Sequence, residues 1–311
     1  MSSIITITFS PCIDKSTSIP VLVPEKKLQC ANPTLEPGGG GINVARVIHK
    51  LGGHVMAVFP SGGYTGRHFN YLLEKEQIPC HIINTENETR ENIIVFDEST
   101  GNQYRFGMPG TALKETEWKQ CLQVIEESNN VEYIVASGSL PPGVPTTIFS
   151  RLATIAQTKN ARFIADTSGN ALKEAAETGA FLLKPNLGEL ASLAGKNSIG
   201  TGDIETVAKQ ILQQYPVEIL VVSAGADGAM LFTKNETYKA AAPPVDRKST
   251  VGAGDSMVAG IIFSLSQQST LKQALQFGVA CGTAATINPG TELCNPPDAA
   301  KLYEAILASD K

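Results

Sequence analysis

Short, apolar, β-branched runs alternate with helical stretches along most of this chain. IITITF (4–9), HVMAVFP (54–60), YIVAS (133–137), RFIAD (162–166) and EILVVS (218–223) read as buried strands. GINVARVIHKLG (41–52) carries Ile42, Val44, Ala45, Val47, Ile48 and Leu51 at helical spacing, and Gly52 and Gly53 stop it. Stretches 65–77, 115–127, 146–158, 201–214, 255–266 and 271–285 read as further helices. Strands that are apolar on both faces must be covered on both faces. The alternation therefore predicts an α/β fold around a mostly parallel central sheet. No internal repeat interrupts it.

Two stretches break the rhythm. Residues 12–35 mix β-branched residues, prolines and charges, and 88–107 include NIIVFDESTGNQYRF, with a hairpin turn expected at 98–102. Both read as strands exposed on at least one face. They fit either a small second sheet inserted into the α/β body or edge hairpins of the main sheet, and pattern alone leaves both open. The expected division is an α/β body from 1–11, 36–87 and 108–311, and an inserted β unit from 12–35 and 88–107.

The formal net charge of −5 gives no basic surface for nucleic acid, so no nucleic-acid partner is expected. The start MSSIITITFSPCID lacks the basic region and cleavage signature of a signal peptide. No apolar run approaches the roughly 18 residues of a membrane span, so no membrane role is expected. The cysteines at 12, 30, 80, 121, 281 and 294 are scattered and form no CxxC pair. That favours free thiols in a reducing cytoplasm over disulfides or a zinc site. His49, His54, His68 and His81 show no metal spacing, and Trp118 reads as packing.

In an open α/β sheet, ligands bind beyond the carboxyl ends of the strands, and three glycine-rich loops fall near such ends. EPGGGGINVAR (36–46) places four glycines before an amphipathic helix, so a polar ligand could approach backbone N–H groups. One or two glycines would be an ordinary tight loop; four favour a site. SAGADGA (223–229) alone is weak evidence, since such turns are common. STVGAGDSMVAG (249–260) places Gly252, Ala253 and Gly254 at a helix start with Asp255 just behind them. A lone Asp there is often only an N-cap. It is also a base beside an anion hole, which is what a phosphoryl transfer to a hydroxyl requires. The chain has neither a GxxxxGK[ST] loop nor the HRD and DFG motifs of protein kinases.

STVGAGDSMVAG and EPGGGGINVAR resemble the two signatures of the ribokinase superfamily, and the fit is closest to its phosphofructokinase B branch. PEKKLQC, QYRFGMPG, SGSLPPGV, KPNLGEL and FGVACGTAATINPGTELC follow in the expected order, so the resemblance runs nearly end to end. It implies a three-layer ribokinase-like fold in which 12–35 and 88–107 form a β lid that also serves as a homodimer interface. Val21, Leu22, Ile93, Ile94 and Val95 are expected near that seam. It implies ATP-dependent phosphorylation of a sugar phosphate in the cytoplasm, most closely D-fructose 6-phosphate to fructose 1,6-bisphosphate in glycolysis. The alternatives are a tagatose-6-phosphate or fructose-1-phosphate kinase and, in another class, a catalytically silent sugar-phosphate sensor.

The same resemblance assigns roles. Asp255 is the general base, with the N–H groups of Gly252, Ala253 and Gly254 as the anion hole. Asn186 and Glu189 match the NxxE motif that holds hydrated Mg²⁺, although by itself N-L-G-E is simply a helix cap with an acid at its third position. Lys184, Asn186, Ser223, Gly225 and Gly228 border the nucleotide, with Val279 and Thr283 near its base. Asp14, Gly39, Gly40, Asn43 and Ser139 hold the sugar. Val251, Ala285, Asn288 and Gly290 match a loop that binds K⁺ in some relatives. Lys27 and Arg90 are assigned to the sugar's phosphate. Arg105 is left as an edge-strand charge. The chain departs from the branch at Gln29 and Glu292, both arginine there.

Overall fold

The computed structural model describes residues 3–310, so the first two residues and the last one of the expected α/β body lie outside it. The chain begins with β1 (Ser3–Ile7), β2 (Cys12–Ile19), β3 (Thr34–Gly38), α1 (Gly40–Lys50), β4 (Val55–Gly62), α2 (Gly63–Lys75) and β5 (Cys80–Thr85). It continues through β6 (Arg90–Asp97), β7 (Asn102–Phe106), α3 (Glu115–Glu127), β8 (Val131–Ser137), α4 (Ile148–Thr158), β9 (Arg162–Asp166), α5 (Gly169–Thr178) and β10 (Ala180–Leu183). It ends with α6 (Leu187–Leu193), α7 (Ile204–Gln214), β11 (Val217–Ser223), β12 (Ala229–Phe232), β13 (Thr237–Ala240), α8 (Ala253–Ser266), α9 (Leu271–Thr286) and α10 (Pro296–Ser309).

Nine strands form the main sheet, in the order β13-β12-β11-β10-β9-β8-β1-β4-β5. The seven from β11 to β5 are parallel, and β12 and β13 add an antiparallel edge. The strand period of two sorts side chains to opposite faces. Ile5 and Ile7 of β1, Ile134 and Ala136 of β8, and Leu220 and Val222 of β11 join the core with α3 to α7. Ile4, Tyr133, Val135, Ile219 and Val221 join the core with α1, α2, α8, α9 and α10. Two cores around one sheet make three layers, as the apolar strands require.

The stretches that broke the alternation form a separate four-stranded sheet, β3-β2-β6-β7, and not hairpins on the edge of the main one. Strands β2 and β6 are parallel, with Cys12 opposite Arg90 and Asp14 opposite Asn92. Their partners β3 and β7 pair antiparallel, and Gly101, at φ 69°, closes the β6–β7 hairpin with its N–H on Asp97 O. Residues 20–33 contain no strand, although they were read as part of one. Prolines at 20, 24 and 33 deny the ladder its N–H donors.

One face of this sheet is apolar and open. Ile93 lies opposite Phe106, and with Val21, Tyr104 and Met108 they are exposed. Of the residues expected near a seam, Val21 and Ile93 are exposed; Val95 shares the face of Ile93 but is covered, and Ile94 is buried on the other face. No described helix is long and apolar enough to cross a membrane.

Candidate active site

Gly252 caps α8 with φ 72°, a left-handed conformation that favours glycine, and Ala253, Gly254 and Asp255 form the first turn. The first N–H groups of a helix have no intrahelical acceptor and face an incoming anion. Asp255 makes no cap to its own helix. Its carboxylate accepts from Asn43 Nδ2 at 2.9 Å, on α1, and from Ser137 Oγ at 3.4 Å, at the end of β8. Burial is the main force pushing its pKa up to about 6, and the charge of Asp166 adds to it. The bonds from Asn43 and Ser137 and the charge of Lys184 oppose the rise. The group is therefore ionised near neutrality, yet basic enough to accept a proton.

Lys184 follows β10 and is almost wholly buried, 3.2 Å from Asp166 at the end of β9. Burial, the largest single influence, disfavours its charge, but Asp166 together with Glu189 and Asp255 outweighs it and the net shift is upward. A Cβ added at Gly254 would lie 3.5 Å from Lys184 Nζ, so the ammonium sits beside the α8 N-terminus. A cation and free N–H donors on one side, with a carboxylate base on the other, form a site for a transferring phosphoryl group.

The glycine loop opens α1 at the same end of the sheet. A Cβ at Gly40 would fall on Ser137 Oγ, and one at Gly41 would lie 2.5 Å from Thr8 Oγ1. Gly39 has φ 111°. The glycines are therefore required by close packing against β1 and β8 as well as by any ligand. A Cβ at Gly38 would fall on Asp14 Oδ2. Asp14 Oδ1 accepts from Asn92 Nδ2 at 2.9 Å and from Cys12 Sγ at 3.3 Å. Burial raises the Asp14 pKa against these bonds and against the charge of Arg90.

Asn186 and Glu189 make a reciprocal capping box: Glu189 N donates to Asn186 Oδ1 at 2.9 Å, and Asn186 N donates to Glu189 Oε2 at 2.8 Å. The cap reading of N-L-G-E is thus realised. Glu189 Oε1 has no hydrogen-bond partner among the described residues, and burial raises the pKa of this carboxyl. Ser223 bridges to Asn186 across the β10–β11 boundary, which brings the SAGADG turn beside the N-L-G-E turn. Gly225 leaves open space where a Cβ would be, whereas one at Gly228 would meet the backbone of Ala240 to Ala242. Val279 and Thr283 are buried on α9, which packs on α8. Among the described residues, no cluster of three His, Cys, Asp or Glu could hold a metal unaided.

The expected cation loop is ordered by its own contacts. Ser249 Oγ donates to Gly290 O at 2.6 Å and accepts from Val251 N at 3.2 Å. Asn288 Nδ2 donates to Leu293 O at 3.0 Å, and Asn288 N bonds Ala285 O at 3.4 Å. Glu292 is exposed.

The cations expected at the sugar phosphate lie as follows. Lys27 and Gln29 lie exposed in the 20–33 loop, with no hydrogen bond or ion pair among the described residues. Arg90 spends donors on Met108 O at 2.8 Å, Ser10 O at 3.1 Å and Asn92 Oδ1 at 3.2 Å. Arg105 crosses to the main body and donates to Thr250 Oγ1 at 2.6 Å, just before the GAGD turn. Its side chain is exposed, its pKa is lowered by partial desolvation, and it feels the charge of Asp14. It lies near the candidate site, although the sequence reading leaves it as an edge-strand charge. Ser137 was missed, since the serine that reaches Asp255 is Ser137, and the expected Ser139 is exposed. Asp166 and Asn92 were also missed. Their partners lie far along the chain, so no local signal marks them. Trp118 is packing, as read.

The model of the pfkB family of carbohydrate kinases matches residues 4–298. The chain is 42% identical over 304 residues to the ATP-dependent 6-phosphofructokinase isozyme 2 of Escherichia coli, covering 97% of this chain and 98% of that one. It is 30% identical over 291 residues to the 1-phosphofructokinase of Bacillus subtilis, covering 93% and 95%. The crystal structure of E. coli phosphofructokinase-2 in complex with substrates and products superposes with a TM-score of 0.94 at 41% identity, covering 98% of this chain and 99% of that chain.

Proposed function

Because the chain belongs to the pfkB family of carbohydrate kinases, we propose that it moves the γ-phosphoryl group of ATP to the C1 hydroxyl of D-fructose 6-phosphate, giving fructose 1,6-bisphosphate. The observation that carries this reading is Asp255. It is a carboxylate held by Asn43 and Ser137 at the mouth of a glycine-capped helix, with its pKa pushed to about 6.

Asp255 takes the proton of the hydroxyl as its oxygen attacks the γ-phosphorus and the bond to the leaving ADP oxygen breaks. The N–H groups at Gly252, Ala253 and Gly254 hold the moving oxygens, and Lys184 adds charge beside them. Asp14, Asn43 and the backbone at Gly39 and Gly40 orient the sugar, with Ser139 at the rim. Arg90, Arg105 and Lys27 are the cations for its phosphate, and the position of Arg105 makes it the strongest of the three. The nucleotide lies along Ser223, Gly225 and Gly228, with Val279 and Thr283 toward its base. Glu189 Oε1 and the second lone pair of Asn186 Oδ1 fit the waters of a hydrated divalent cation, because the capping box uses only Glu189 Oε2 and one lone pair of the amide oxygen. When bound there, Mg²⁺ neutralises phosphate charge. The carbonyls of Val251, Ala285 and Gly290 and the Asn288 side chain suit a monovalent cation such as K⁺.

The small sheet, with residues 12–35 and 88–107, serves as lid and homodimer seam in this reading, and its open apolar face supports that. Six free cysteines fit a reducing, cytoplasmic setting. An ADP-release assay over fructose 6-phosphate, tagatose 6-phosphate, fructose 1-phosphate and fructose tests the substrate. Fructose 6-phosphate is expected to give the highest kcat/KM and fructose almost none. A preference for fructose 1-phosphate would overturn the assignment, and no turnover of any of them would favour the sensor.

A further inference from the structure

The turn at 288–291 touches two strands of the small sheet and is linked to a third through Ser249. Glu36, on β3, accepts the Thr291 hydroxyl in a short hydrogen bond through Oε2. Ser16, on β2, lies against Gly290: a Cβ there would meet Ser16 Oγ at 3.1 Å. Gln103, on β7, reaches Ser249 Oγ at 3.3 Å, and that hydroxyl holds Gly290 O. Glu36 is also fixed from its other side. Its Oε1 faces Arg46 Nη2 at 3.3 Å. Arg46, buried on α1, pairs with Glu76 through two bonds of 2.8 and 2.6 Å and donates to Pro37 O at 2.8 Å. Pro37 and Gly38 lead directly into the glycine loop.

The Thr291–Glu36 bond therefore joins the C-terminal turn to the segment that carries the sugar site. We propose that Thr291 and Glu36 are positioning residues for sugar binding. The 288–291 turn is the seat of the small sheet, and Glu36 transmits its position through Arg46 and Pro37 to the glycine loop and Asp14. Asp14 sits directly opposite Glu36 in the β2–β3 register, so a shift at Glu36 is a shift at the sugar carboxylate. Among the described residues no hydrogen bond joins Thr291 to the nucleotide-side residues Ser223, Asn186 or Lys184, whereas its bond to Glu36 leads to the sugar segment, so the larger effect is expected on the sugar.

The inference rests on the kinase reading, and the test separates the two. Steady-state constants are measured with whichever phosphosugar the wild type turns over fastest. A different preferred sugar overturns the substrate assignment and leaves this test intact. Thr291→Val removes the hydroxyl and keeps the shape. It is expected to raise KM for the phosphosugar about three- to twentyfold. KM for ATP and kcat should stay within about twofold. Thr291→Ser should restore the wild-type KM. Glu36→Gln should raise the same constant, and adding it to Thr291→Val should give no more than the larger single effect. If Thr291→Val does not fold, Glu36→Gln alone must show the selective rise. An unchanged sugar KM, an equal rise in both KM values, or a Ser variant that fails to restore binding would overturn the proposal.

Discussion

Asp255→Asn should produce a chain that is more stable and nearly inactive. An aspartate ordinarily titrates at 3.8, and the folded chain moves this one to about 6. Across that window the folded chain holds a proton that the unfolded chain has released. Stability therefore falls as pH rises through the window, and above about 6 the ionised group weighs against the fold. Two units correspond to about 3 kcal/mol, and partial solvent access reduces this to about 1–3 kcal/mol. The amide carries no such penalty, and its oxygen can still accept from Asn43. Urea unfolding at pH about 8 should show a gain of that size, shrinking toward zero as the pH falls to about 4. Turnover should drop by about 10²–10⁴. In the wild type, kcat/KM should fall on the acid side of about 6, where the base becomes protonated. An Asn variant less stable at pH about 8, or a gain independent of pH, would refute a burial penalty at Asp255.

Arg105→Ala should raise KM for the phosphosugar about tenfold while KM for ATP barely moves; an unchanged sugar KM would return Arg105 to a surface charge. Asn186→Ala should lose about 0.5–2 kcal/mol of stability through its cap, and should also raise the Mg²⁺ needed for half-maximal rate. A Mg²⁺ titration that matches wild type would leave only the cap. Ile93→Glu combined with Phe106→Glu should give a monomer mass by light scattering, because both lie on the open face; a surviving dimer would place the seam elsewhere.

What could be read from the chain divides by range. Strands such as YIVAS and EILVVS announce themselves because burial on both faces leaves continuous apolar runs. The GAGD helix does so because its glycines, its acid and its apolar run are contiguous. Helices α5 and α10 were not read: α10 buries only Ala299 and Ile306, and the buried set of α5 is three alanines and one leucine, a weak apolar signal. Within the site, Asp255 was legible but Ser137 was not, because the two lie 118 residues apart. Arg105 was dismissed for the same reason, since Thr250 is 145 residues away. Arg90 was assigned to a ligand, and its bonds to Ser10 and Met108 carbonyls could not be foreseen. The residue types were visible; the pairings were set by the order of strands in two sheets.

The parallel pairing of β2 with β6 bears on how the chain reaches this form. Between these strands the polypeptide leaves the small sheet after β3, builds α1, β4, α2 and β5 on the large body, and only then returns. The pair is thus closed by a detour of about seventy residues, a costly loop unless the detour is already ordered. Folding should run from the β1–β4–β5 edge outward, with the small sheet assembled late. A nascent chain ending before residue 97 would expose β2 without its central neighbour, leaving an unpaired strand edge open to association until synthesis passes β6.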